Sequence, residues 1–416
     1  MAKILYTTGI FFYGLAIRMA AIFNPKAKDF IRGRKSWTQK LKSITGKNEN
    51  WIWIHCSSLG EFEQGRPVIE KIKKAYPGQP VLLSFFSPSG YKAKKDYPMV
   101  DAVVYMPLDT PGNAKRFVKI LNPALVIFIK YEFWYHHLNQ LYKNKIPVYL
   151  ISAAFRKSQV FFKWYGGIFR KMLAMYNTIF LQDDFSEALI NRIAETETMV
   201  CGDTRFDRVK EISQVPFNND ILEAFAQDQE MVLIAGSTWP PDENIISESF
   251  DANAGIKVII APHEINDNHL NKIRDFFKNK KISFFTNTTT EEASNSEILV
   301  LDTIGLLSRI YRYGHMAYVG GGFGSGIHNV LEPASYQLPV VFGPNHYRFI
   351  EAKELINAGA AFPVNNHAEL SSLINKCKDL TFRKKCHENA RKYIQKKSGA
   401  TDKIFHVLEK SDVFKH

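Results

Sequence analysis

The chain has 416 residues, 45% hydrophobic and 23% charged, which excludes a disordered protein and suggests two folded domains. Its formal net charge of +13 is concentrated at the ends: residues 1–50 carry a surplus of +8 and residues 376–416 a surplus of +7, so the 325 residues between them sum to −2. Because a nucleic-acid-binding protein more often carries its positive charge on the folded body, this distribution argues against nucleic acid as a partner and favours an anionic membrane surface.

The first predicted element is an apolar helix over residues 4–23, followed at once by a basic stretch. Its length would allow it to span a bilayer, but Lys3, Thr7 and Arg18 share one side, which also fits a helix lying in the membrane interface. A buried structural helix is the remaining alternative. By the positive-inside rule, the basic flank and the rest of the chain stay on the cytoplasmic side. We therefore expect residues 1–25 to form a membrane anchor.

From Trp51 onward, short apolar or β-branched runs alternate with longer amphipathic segments, which predicts parallel strands connected by helices. The first series of predicted strands covers residues 51–55, 81–86, 102–105, 125–129, 148–151, 178–181 and 198–201. The second series covers residues 231–235, 257–260, 282–285, 298–301, 317–319 and 340–342. Two such series predict an α/β protein with two Rossmann-like doubly wound domains, 26–205 and 231–395, that face a cleft with the active site. The polar, irregular segment 206–230 is predicted to be a linker.

The first polar motif, His55-Cys56-Ser57-Ser58-Leu59-Gly60-Glu61, follows a predicted strand and opens a helix predicted over residues 62–75. Ser58 and Glu61 have the spacing of a capping box, in which both side chains bind free amides of the helix start. The alternative is that Glu61, at the C-terminal edge of the strand, is a general base for a substrate hydroxyl.

The second motif, Lys130-Tyr131-Glu132-Phe133-Trp134, also follows a predicted buried strand. Its charged pair is either an ordinary surface ion pair or part of the site. In the second case, Glu132 is a further carboxylate that orients an acceptor or supports the base.

Two turns in the second series predict anion binding. Ala235-Gly236-Ser237-Thr238-Trp239-Pro240 leads from a strand into a helix start, but many α/β turns have this pattern. The stronger signal is the glycine loop, residues 320–326, which has five glycines in seven residues after a strand. Its glycines would let a phosphate approach the backbone, and a helix predicted to start near His328 would direct its positive end there. A flexible turn without a ligand is the alternative, and a Walker loop is excluded because no Gly-Lys-Ser/Thr follows.

Candidate metal ligands are sparse in the sequence. No Asp-x-Asp motif stands at a predicted strand end, so a divalent cation has no evident carboxylate cage. His263 and His328 are far apart in sequence, and we interpret them as hydrogen-bonding groups. We expect neither a metal nor a cofactor.

Together, these residues resemble the bacterial Kdo transferases of GT-B architecture, which attach 3-deoxy-D-manno-oct-2-ulosonic acid (Kdo) to lipid A precursors. In the first half, the resemblance rests on the N-terminal helix with its basic flank, the element at 58–61, Tyr-Glu-Phe-Trp at 131–134, Ser152-Ala153 with Arg156 and Ser158, and residues 202–207. In the second half, it rests on Gly236-Ser237-Thr238, Pro262-His263-Glu264, Val319-Gly320-Gly321 and His328-Asn329-x-x-Glu332-Pro333-Ala334. The chain departs from the family pattern at residues 265–269, where many relatives place an arginine.

The resemblance implies an inverting glycosyltransferase that moves Kdo from CMP-Kdo to the lipid A precursor lipid IVA, on the cytoplasmic face of the inner membrane, in lipopolysaccharide biosynthesis. It implies Glu61 as the catalytic base and Glu132 as a second catalytic carboxylate. The acceptor-binding residues that it implies are Ser58, Gly60, Lys130 and Arg156. The donor-binding residues that it implies are Ser237, Thr238, Pro262, His263, Glu264, Gly320, Gly321, Gly322, Gly324, Gly326, His328, Asn329 and Glu332. Residues 396–416 would cross back to the N-terminal domain.

Two other functions stay open. One is an enzyme of the same architecture that uses a UDP-sugar, such as a lipid A disaccharide synthase-like transferase or an epimerase. The other is a membrane-binding or RNA-binding adaptor with a degenerate cleft. The presence of Glu61, the glycine loop and Glu332 argues against degeneration.

Overall fold

The computed structural model describes residues 2–46, 50–251, 253 and 255–414. The chain forms two compact units, Met1–Asp207 with Gly399–His416, and Arg208–Ser398. Each unit is an α/β fold around a parallel sheet of seven strands. The prediction of two α/β domains is therefore confirmed, while a GT-B arrangement around a cleft stays a prediction.

The sheet of the first unit has the strand order β3-β2-β1-β4-β5-β6-β7. Its strands are β1 (Trp51–Cys56), β2 (Val81–Phe85), β3 (Ala102–Tyr105), β4 (Pro123–Ile129), β5 (Val148–Ala153), β6 (Thr178–Leu181) and β7 (Glu197–Val200). Its helices are α1 (Ala2–Ala20), α2 (Pro25–Gly33), α3 (Trp37–Thr45), α4 (Leu59–Ala75), α5 (Pro88–Lys94), α6 (Pro111–Leu121), α7 (Tyr135–Lys143), α8 (Gly167–Leu173) and α9 (Asp184–Ile190), with α10 (Thr204–Gln214) at the passage to the second unit. Short 3-10 turns cover Val160–Phe162 and Asp412–Phe414.

The sheet of the second unit has the strand order β10-β11-β9-β8-β12-β13-β14. Its strands are β8 (Met231–Thr238), β9 (Ile256–Pro262), β10 (Ile282–Phe284), β11 (Ile298–Val300), β12 (Met316–Val319), β13 (Val340–Phe342) and β14 (Ala361–Pro363). Its helices are α11 (Asp220–Ala226), α12 (Pro240–Asp251), α13 (Asp267–Phe276), α14 (Thr290–Asn295), α15 (Leu307–Ile310), α16 (Leu331–Ser335), α17 (Ile350–Asn357), α18 (His367–Lys378) and α19 (Leu380–Lys397). The last helix, α20 (Ala400–Leu408), returns to the first unit, where it packs against α4.

The core lies on both faces of each sheet because side chains alternate along a strand. In β1, Trp51 and Trp53 belong to one cluster of buried residues, and Ile52 and Ile54 belong to the cluster on the other face. All six residues of β1 are buried, as expected for a central strand covered on both faces. Because the strands of each sheet run parallel, their C-terminal ends all lie on the same side, here called the strand-end edge. In the first sheet this edge carries the loops after β1, β4 and β5, and in the second sheet it carries the loops after β8, β9 and β12.

All thirteen predicted strands are present, with ends that differ by at most three residues. The prediction missed β14, whose three residues follow a glycine-containing turn and end in Pro363. So short a run has no period-two pattern, and it pairs only with β13 at the edge of the sheet.

The predicted linker, residues 206–230, needs correction because most of it is helical. It holds most of α10 and all of α11. In α11, Leu222 and Phe225 are fully buried against the second sheet. These two apolar residues were too few to stand out in a polar segment, yet they attach the helix to the core of the second unit.

Helix α1 lies against the first unit and exposes apolar side chains. Tyr6 donates a hydrogen bond of 2.7 Å to the buried carboxylate of Asp109, and Thr7 Oγ1 lies 2.9 Å from His136 Nε2. The large apolar side chains that it and the following turn expose are Ile4, Leu5, Phe11, Phe12, Tyr13, Leu15, Met19, Ile22 and Phe23. Within the described ranges, no helix combines the length and the apolar character needed to cross a bilayer.

Candidate active site

Glu61 lies in the first turn of α4, directly after β1. Ser58 caps this helix: its Oγ accepts a hydrogen bond from the Glu61 amide at 3.4 Å, and Glu61 Oε2 accepts one from the Ser58 amide at 2.9 Å. The predicted capping box is therefore present. Because it holds the Glu61 carboxylate at the strand-end edge of the sheet, capping and a role as base are compatible.

Glu132, in the loop after β4, is only 1% exposed, so the surface ion-pair interpretation of this residue is wrong. Its Oε1 accepts a hydrogen bond of 2.9 Å from the Ser57 amide, and its Oε2 accepts one from Trp134 Nε1. The Nε2 atom of His55 lies 3.3 Å from the same Oε2. The side chain is thus fixed from three directions in a position reached only because β1 and β4 are neighbours.

His55 connects Glu132 to the interior of the sheet. Its Nδ1 lies 2.8 Å from Ser84 Oγ and 3.1 Å from the Ser84 carbonyl oxygen, while Trp53 Nε1 donates to the same Oγ at 2.7 Å. A buried polar chain therefore runs from Trp53 through Ser84 and His55 to Glu132. In the sequence, His55 was only the first letter of a motif, and nothing local indicated that it faces a glutamate 77 positions away.

The two carboxylates titrate differently. Burial raises the pKa of Glu61 to about 7, and the neighbouring Glu132 contributes to the rise. Burial also acts to raise the pKa of Glu132, but His55 and the donors from Ser57 and Trp134 outweigh it and lower that pKa below its usual value. Glu132 therefore stays ionised while Glu61 exchanges a proton near neutral pH, which is the property of a general base.

Two predicted cationic residues lie near this pair. Lys130 ends β4 in the left-handed region, with φ of 70°, and its ammonium lies 5.5 Å from the centroid of the Tyr131 ring. Burial raises the pKa of Tyr131, Arg156 opposes the rise, and Glu61 adds to it, so Tyr131 stands within electrostatic reach of both. Lys130 therefore stands two positions before Glu132 in the same segment, and Arg156 acts on the neighbouring Tyr131. Of the other predicted acceptor residues, Ser58 caps α4 and Gly60 is exposed in its first turn.

In the second unit, a cavity of about 310 Å³ opens at the strand-end edge of the sheet. The predicted donor-binding residues in its lining are Ser237, His263, His328, Asn329 and Glu332. The lining also includes Gly236 and Val319, which belong to motifs recognised in the sequence, and four residues that the sequence did not indicate: Gly305, Leu307, Ser308 and Tyr311. These four lie between β11 and β12 and form no recognisable motif, so only the fold could identify them.

Three rings stand side by side at this cavity. His263 stacks on His328 with 4.3 Å between ring centroids, and Trp239 lies 4.8 Å from His263. Trp239 Nε1 donates to His328 Nε2 at 3.2 Å, so this nitrogen must accept and His328 is neutral. Burial lowers the pKa of His328, and His263 lowers it further. Nowhere in the described part of the chain do three His, Cys, Asp or Glu side chains converge on a common point as metal ligands would.

The glycines of the glycine loop are required first for packing of the chain. A Cβ atom on Gly320 would lie 2.2 Å from the Ser237 carbonyl oxygen, and one on Gly322 would lie 2.5 Å from the Gly343 nitrogen. Gly321 has a φ of +91°. The loop amides that already donate to protein oxygen atoms are those of Gly320, Gly321, Gly324 and Gly326. The sequence led us to expect that a phosphate approaches the backbone of this loop. The amides of these four glycines are already engaged and cannot donate to it.

The helix after the glycine loop begins later than predicted. Helix α16 starts at Leu331, not near His328, and has five residues. The side chain of Asn329 explains the start, since its Oδ1 accepts from the Leu331 amide at 3.0 Å and its Nδ2 donates to Glu332 Oε1 at 2.9 Å. So short a helix directs only a small dipole at the cavity, whereas Asn329 orients Glu332 directly.

The remaining predicted donor residues do not line the cavity. Thr238 is fully buried and donates a hydrogen bond of 2.8 Å to Glu243. Pro262 pairs with Thr238 at the end of β9. Glu264 is exposed, and its carbonyl oxygen lies 2.8 Å from Nδ1 of His269, in the segment where the family pattern has an arginine. These residues shape the strand ends from which the cavity is built.

Asp242, on α12, holds the glycine loop in place. Its Oδ2 accepts from the amides of Gly321 at 2.9 Å and Trp239 at 3.0 Å, and its Oδ1 accepts from the Tyr318 hydroxyl at 2.8 Å. Burial raises its pKa in spite of these bonds. Nothing in the local sequence marks Asp242, because it stands within an ordinary helical segment.

A family model described as 3-deoxy-D-manno-octulosonic-acid transferase (kdotransferase) matches residues 35–208. A 3-deoxy-D-manno-octulosonic acid transferase of Aquifex aeolicus is 27% identical over 374 residues, which cover 86% of this chain and 94% of the relative. The enzyme of the same name from Haemophilus influenzae is 26% identical over 332 residues, which cover 76% of each chain. The range matched by the family model includes both Glu61 and Glu132.

Solved structures show a similar fold. A UDP-GlcNAc 2-epimerase from Neisseria meningitidis, solved with bound UDP-GlcNAc, superimposes with a TM-score of 0.55 at 15% identity, over 84% of this chain and 99% of that one. At 15% identity, this similarity shows a shared fold only.

Proposed function

Because this chain belongs to the family of 3-deoxy-D-manno-octulosonic acid (Kdo) transferases, it is a glycosyltransferase of lipopolysaccharide biosynthesis, and we propose that it transfers Kdo from CMP-Kdo to a lipid A precursor with inversion. The observation that carries the proposed mechanism is the pair formed by Glu61 and Glu132. Burial and the neighbouring carboxylate raise the pKa of Glu61 to about 7, so this group is a stronger base than an ordinary glutamate and still ionised in a large fraction of molecules at neutral pH.

In the proposed step, Glu61 removes the proton from an acceptor hydroxyl as its oxygen attacks the anomeric carbon of Kdo. The bond from this carbon to the CMP phosphate oxygen breaks, and the electron pair leaves with CMP. Glu132 stays ionised beside His55 and maintains the basicity of Glu61. His55 is therefore a positioning residue, because it acts through Glu132.

The cavity of the second unit is the proposed site for the CMP part of the donor. Its volume of about 310 Å³ lies at the lower end of the range for small-molecule sites. Glu332, oriented by Asn329, is placed to accept hydrogen bonds from ribose hydroxyls. His263 and His328 offer a stacked aromatic wall, and loop amides other than the four already engaged would meet the phosphate.

A second cavity, of about 400 Å³, supports an anionic, acyl-bearing acceptor. Its lining includes the apolar side chains of Ile17, Phe30 and Leu108 and the cationic side chains of Arg18, Arg32, Arg34 and Lys35. Such a lining suits the phosphate groups and acyl chains of a lipid A precursor. Phe30 packs on Phe86 with 5.2 Å between centroids, and Phe86 packs on Trp134 at 4.7 Å. Since Trp134 binds Glu132, aromatic contacts lead from this cavity to the catalytic pair.

An anionic membrane surface belongs to the same proposal. Helix α1 and its following turn expose a row of large apolar side chains, and basic residues of α2 follow directly. This combination fits a helix lying in the interface of the inner membrane, on its cytoplasmic face, where an amphiphilic acceptor is found.

The experiment that tests the proposal is transfer from freshly generated CMP-Kdo to a tetraacylated lipid A precursor in detergent, followed by mass spectrometry. Wild type should add the mass of Kdo, and Glu61→Gln should lower the rate by about 10³-fold because it removes the base while keeping an acceptor for the Ser58 amide.

Glu63→Gln is the matched control, since Glu63 lies on the same helix and pairs at the surface with Arg66 and Lys94. It should transfer at nearly the wild-type rate. Transfer by folded wild type from UDP-sugars alone would overturn the donor assignment, and full activity of Glu61→Gln would return Glu61 to a purely capping role.

A further inference from the structure

The loop of residues 163–166, here called the aromatic loop, presents two aromatic rings to solvent. Trp164 is 91% exposed, more than any other large hydrophobic side chain of the described residues, and its neighbour Tyr165 is 59% exposed. The two rings touch edge to face, with 5.5 Å between centroids. Exposed tryptophan is unfavourable in water, and it is enriched where one end of the ring meets lipid and the other meets water.

The backbone of the aromatic loop is attached to the first unit by buried side chains and hydrogen bonds. Phe161, three positions before Trp164, is buried in the core of the first unit. Arg170 Nη1 donates to the carbonyl oxygens of Phe161 and Lys163, each at 2.9 Å. A Cβ atom on Gly166 would lie 2.0 Å from the Val160 carbonyl oxygen, so only glycine allows this turn. The fold thus fixes the backbone from which the two rings project.

The chain on either side of the aromatic loop is basic. The connection from β5 to β6, residues 154–177, contains five Lys or Arg and no Asp or Glu, and the exposed Asp183 and Asp184 follow β6. Lys157, Lys163 and Lys171 are exposed on either side of the two rings in sequence. Aromatic rings surrounded by lysines match an anionic lipid surface, which accepts the rings at the interface and attracts the charges.

The aromatic loop lies at the strand-end edge of the first sheet, where Glu61 is also found. It belongs to the connection that leaves β5 at the strand-end edge and leads directly into α8, which packs beside α1. Helix α1 in turn is bound to Asp109, in the loop after β3, and to His136, in the first turn of α7, which follows β4. The rings, the exposed apolar side chains of α1 and Glu61 therefore share one edge of the sheet.

We propose that the aromatic loop is a second membrane-contacting element, which inserts Trp164 and Tyr165 into the interface of an anionic bilayer beside α1. This inference rests on the proposed function, because it assigns the loop to the membrane on which the acceptor is found. Two contacts define an orientation, whereas a single helix leaves the protein free to turn about its axis. The loop thereby holds the Glu61 edge toward the membrane surface.

The test is flotation with vesicles of phosphatidylethanolamine and phosphatidylglycerol, with phosphatidylcholine vesicles as the uncharged reference. The full chain with Trp164→Ala and Tyr165→Ala should bind the anionic vesicles about tenfold more weakly than wild type. Brominated lipids should quench a part of the wild-type tryptophan fluorescence that is missing in Trp164→Phe, and Trp164→Phe should keep most of the binding.

Tyr142→Ala is the matched control. Tyr142 is 60% exposed and has Lys143 and Lys145 beside it, but it lies at the end of α7, at the opposite edge of the same sheet. This variant should bind vesicles within about twofold of wild type. Unchanged binding of the double variant, or an equal loss in Tyr142→Ala, would overturn the proposal. Transfer in detergent is measured in parallel: its absence in wild type would defeat the proposed function, whatever the vesicles show.

Discussion

Both units place buried carboxylates at the ends of their central strands, but they use them differently. In the first unit, Glu61 keeps a raised pKa, because its carboxyl group is largely buried and the adjacent Glu132 is ionised. In the second unit, Asp242 accepts three hydrogen bonds and Glu243 is shared by Thr238 and His269. One carboxylate pair is arranged for proton transfer, while the other attaches the glycine loop and the strand ends to each other.

The same topology thus supports two kinds of site. Both units also end a central strand with a non-glycine residue in the left-handed region, Lys130 with φ of 70° and Ser237 with φ of 53°. Such backbone is costly, and both examples stand beside the proposed binding or catalytic groups. The chemistry is therefore decided by which side chains these loops carry and by how completely their charges are satisfied.

The largest expected effect is a loss of folding stability when the structural carboxylate of Asp242 is removed. Asp242→Ala leaves the amides of Gly321 and Trp239 and the Tyr318 hydroxyl without their acceptor, which should cost about 3 kcal/mol or more of folding free energy. Chemical denaturation measures this cost, and calorimetry of CMP binding should show a loss of affinity.

Glu248→Ala is the control on the same helix, because Glu248 is exposed and has two surface contacts, an ion pair with His367 and a hydrogen bond from Asn244 Nδ2. It should cost less than about 1 kcal/mol. Full stability of Asp242→Ala together with weak CMP binding would contradict the structural role and make Asp242 a ligand-contacting residue.

An intermediate effect, on the pH dependence of the rate, should come from replacing His55, which contacts Glu132 of the catalytic pair. With a Glu61 pKa of about 7, the wild-type rate should rise about tenfold between about pH 6 and pH 8. His55→Asn keeps an amide near Ser84 but loses the contact with Glu132. Without His55, the pKa of the more deeply buried Glu132 should rise, so that Glu132 carries the proton that the two carboxylates share. Glu61 then ionises at lower pH and is a weaker base.

The pH profile of the transfer rate checks this prediction. In His55→Asn, the midpoint should move below that of wild type, and the maximal rate should fall by about tenfold. A lower rate with an unmoved midpoint would mean that His55 only supports the packing of β1.

The smallest effect should be a gain in stability. A carboxyl with a higher pKa in the folded than in the unfolded state binds its proton more tightly when folded, so it reduces stability as the pH rises from about 4.5 to about 7. Glu61→Gln removes this loss while keeping the helix cap. It should therefore be more stable than wild type by about 1–2 kcal/mol above pH 7, with the difference vanishing near pH 4.

Denaturation at both pH values measures this gain, with Glu63→Gln as the surface control. A Glu61→Gln protein that is less stable than wild type at high pH would show that Glu61 is fully satisfied, and the contrast between the two units would then fail.

The sequence by itself determined the elements and the local motifs. Apolar runs mark a strand wherever it is buried, which is why thirteen of fourteen strands were predicted, and the Ser58 and Glu61 capping box depends only on spacing within one helix turn. The tertiary structure alone decided which distant groups meet. His55 reaches Glu132 because β1 pairs with β4, and Asp242 reaches the glycine loop because α12 follows a strand beside β12. Such contacts follow from strand order, and local patterns of apolar and polar residues are the same for many possible orders.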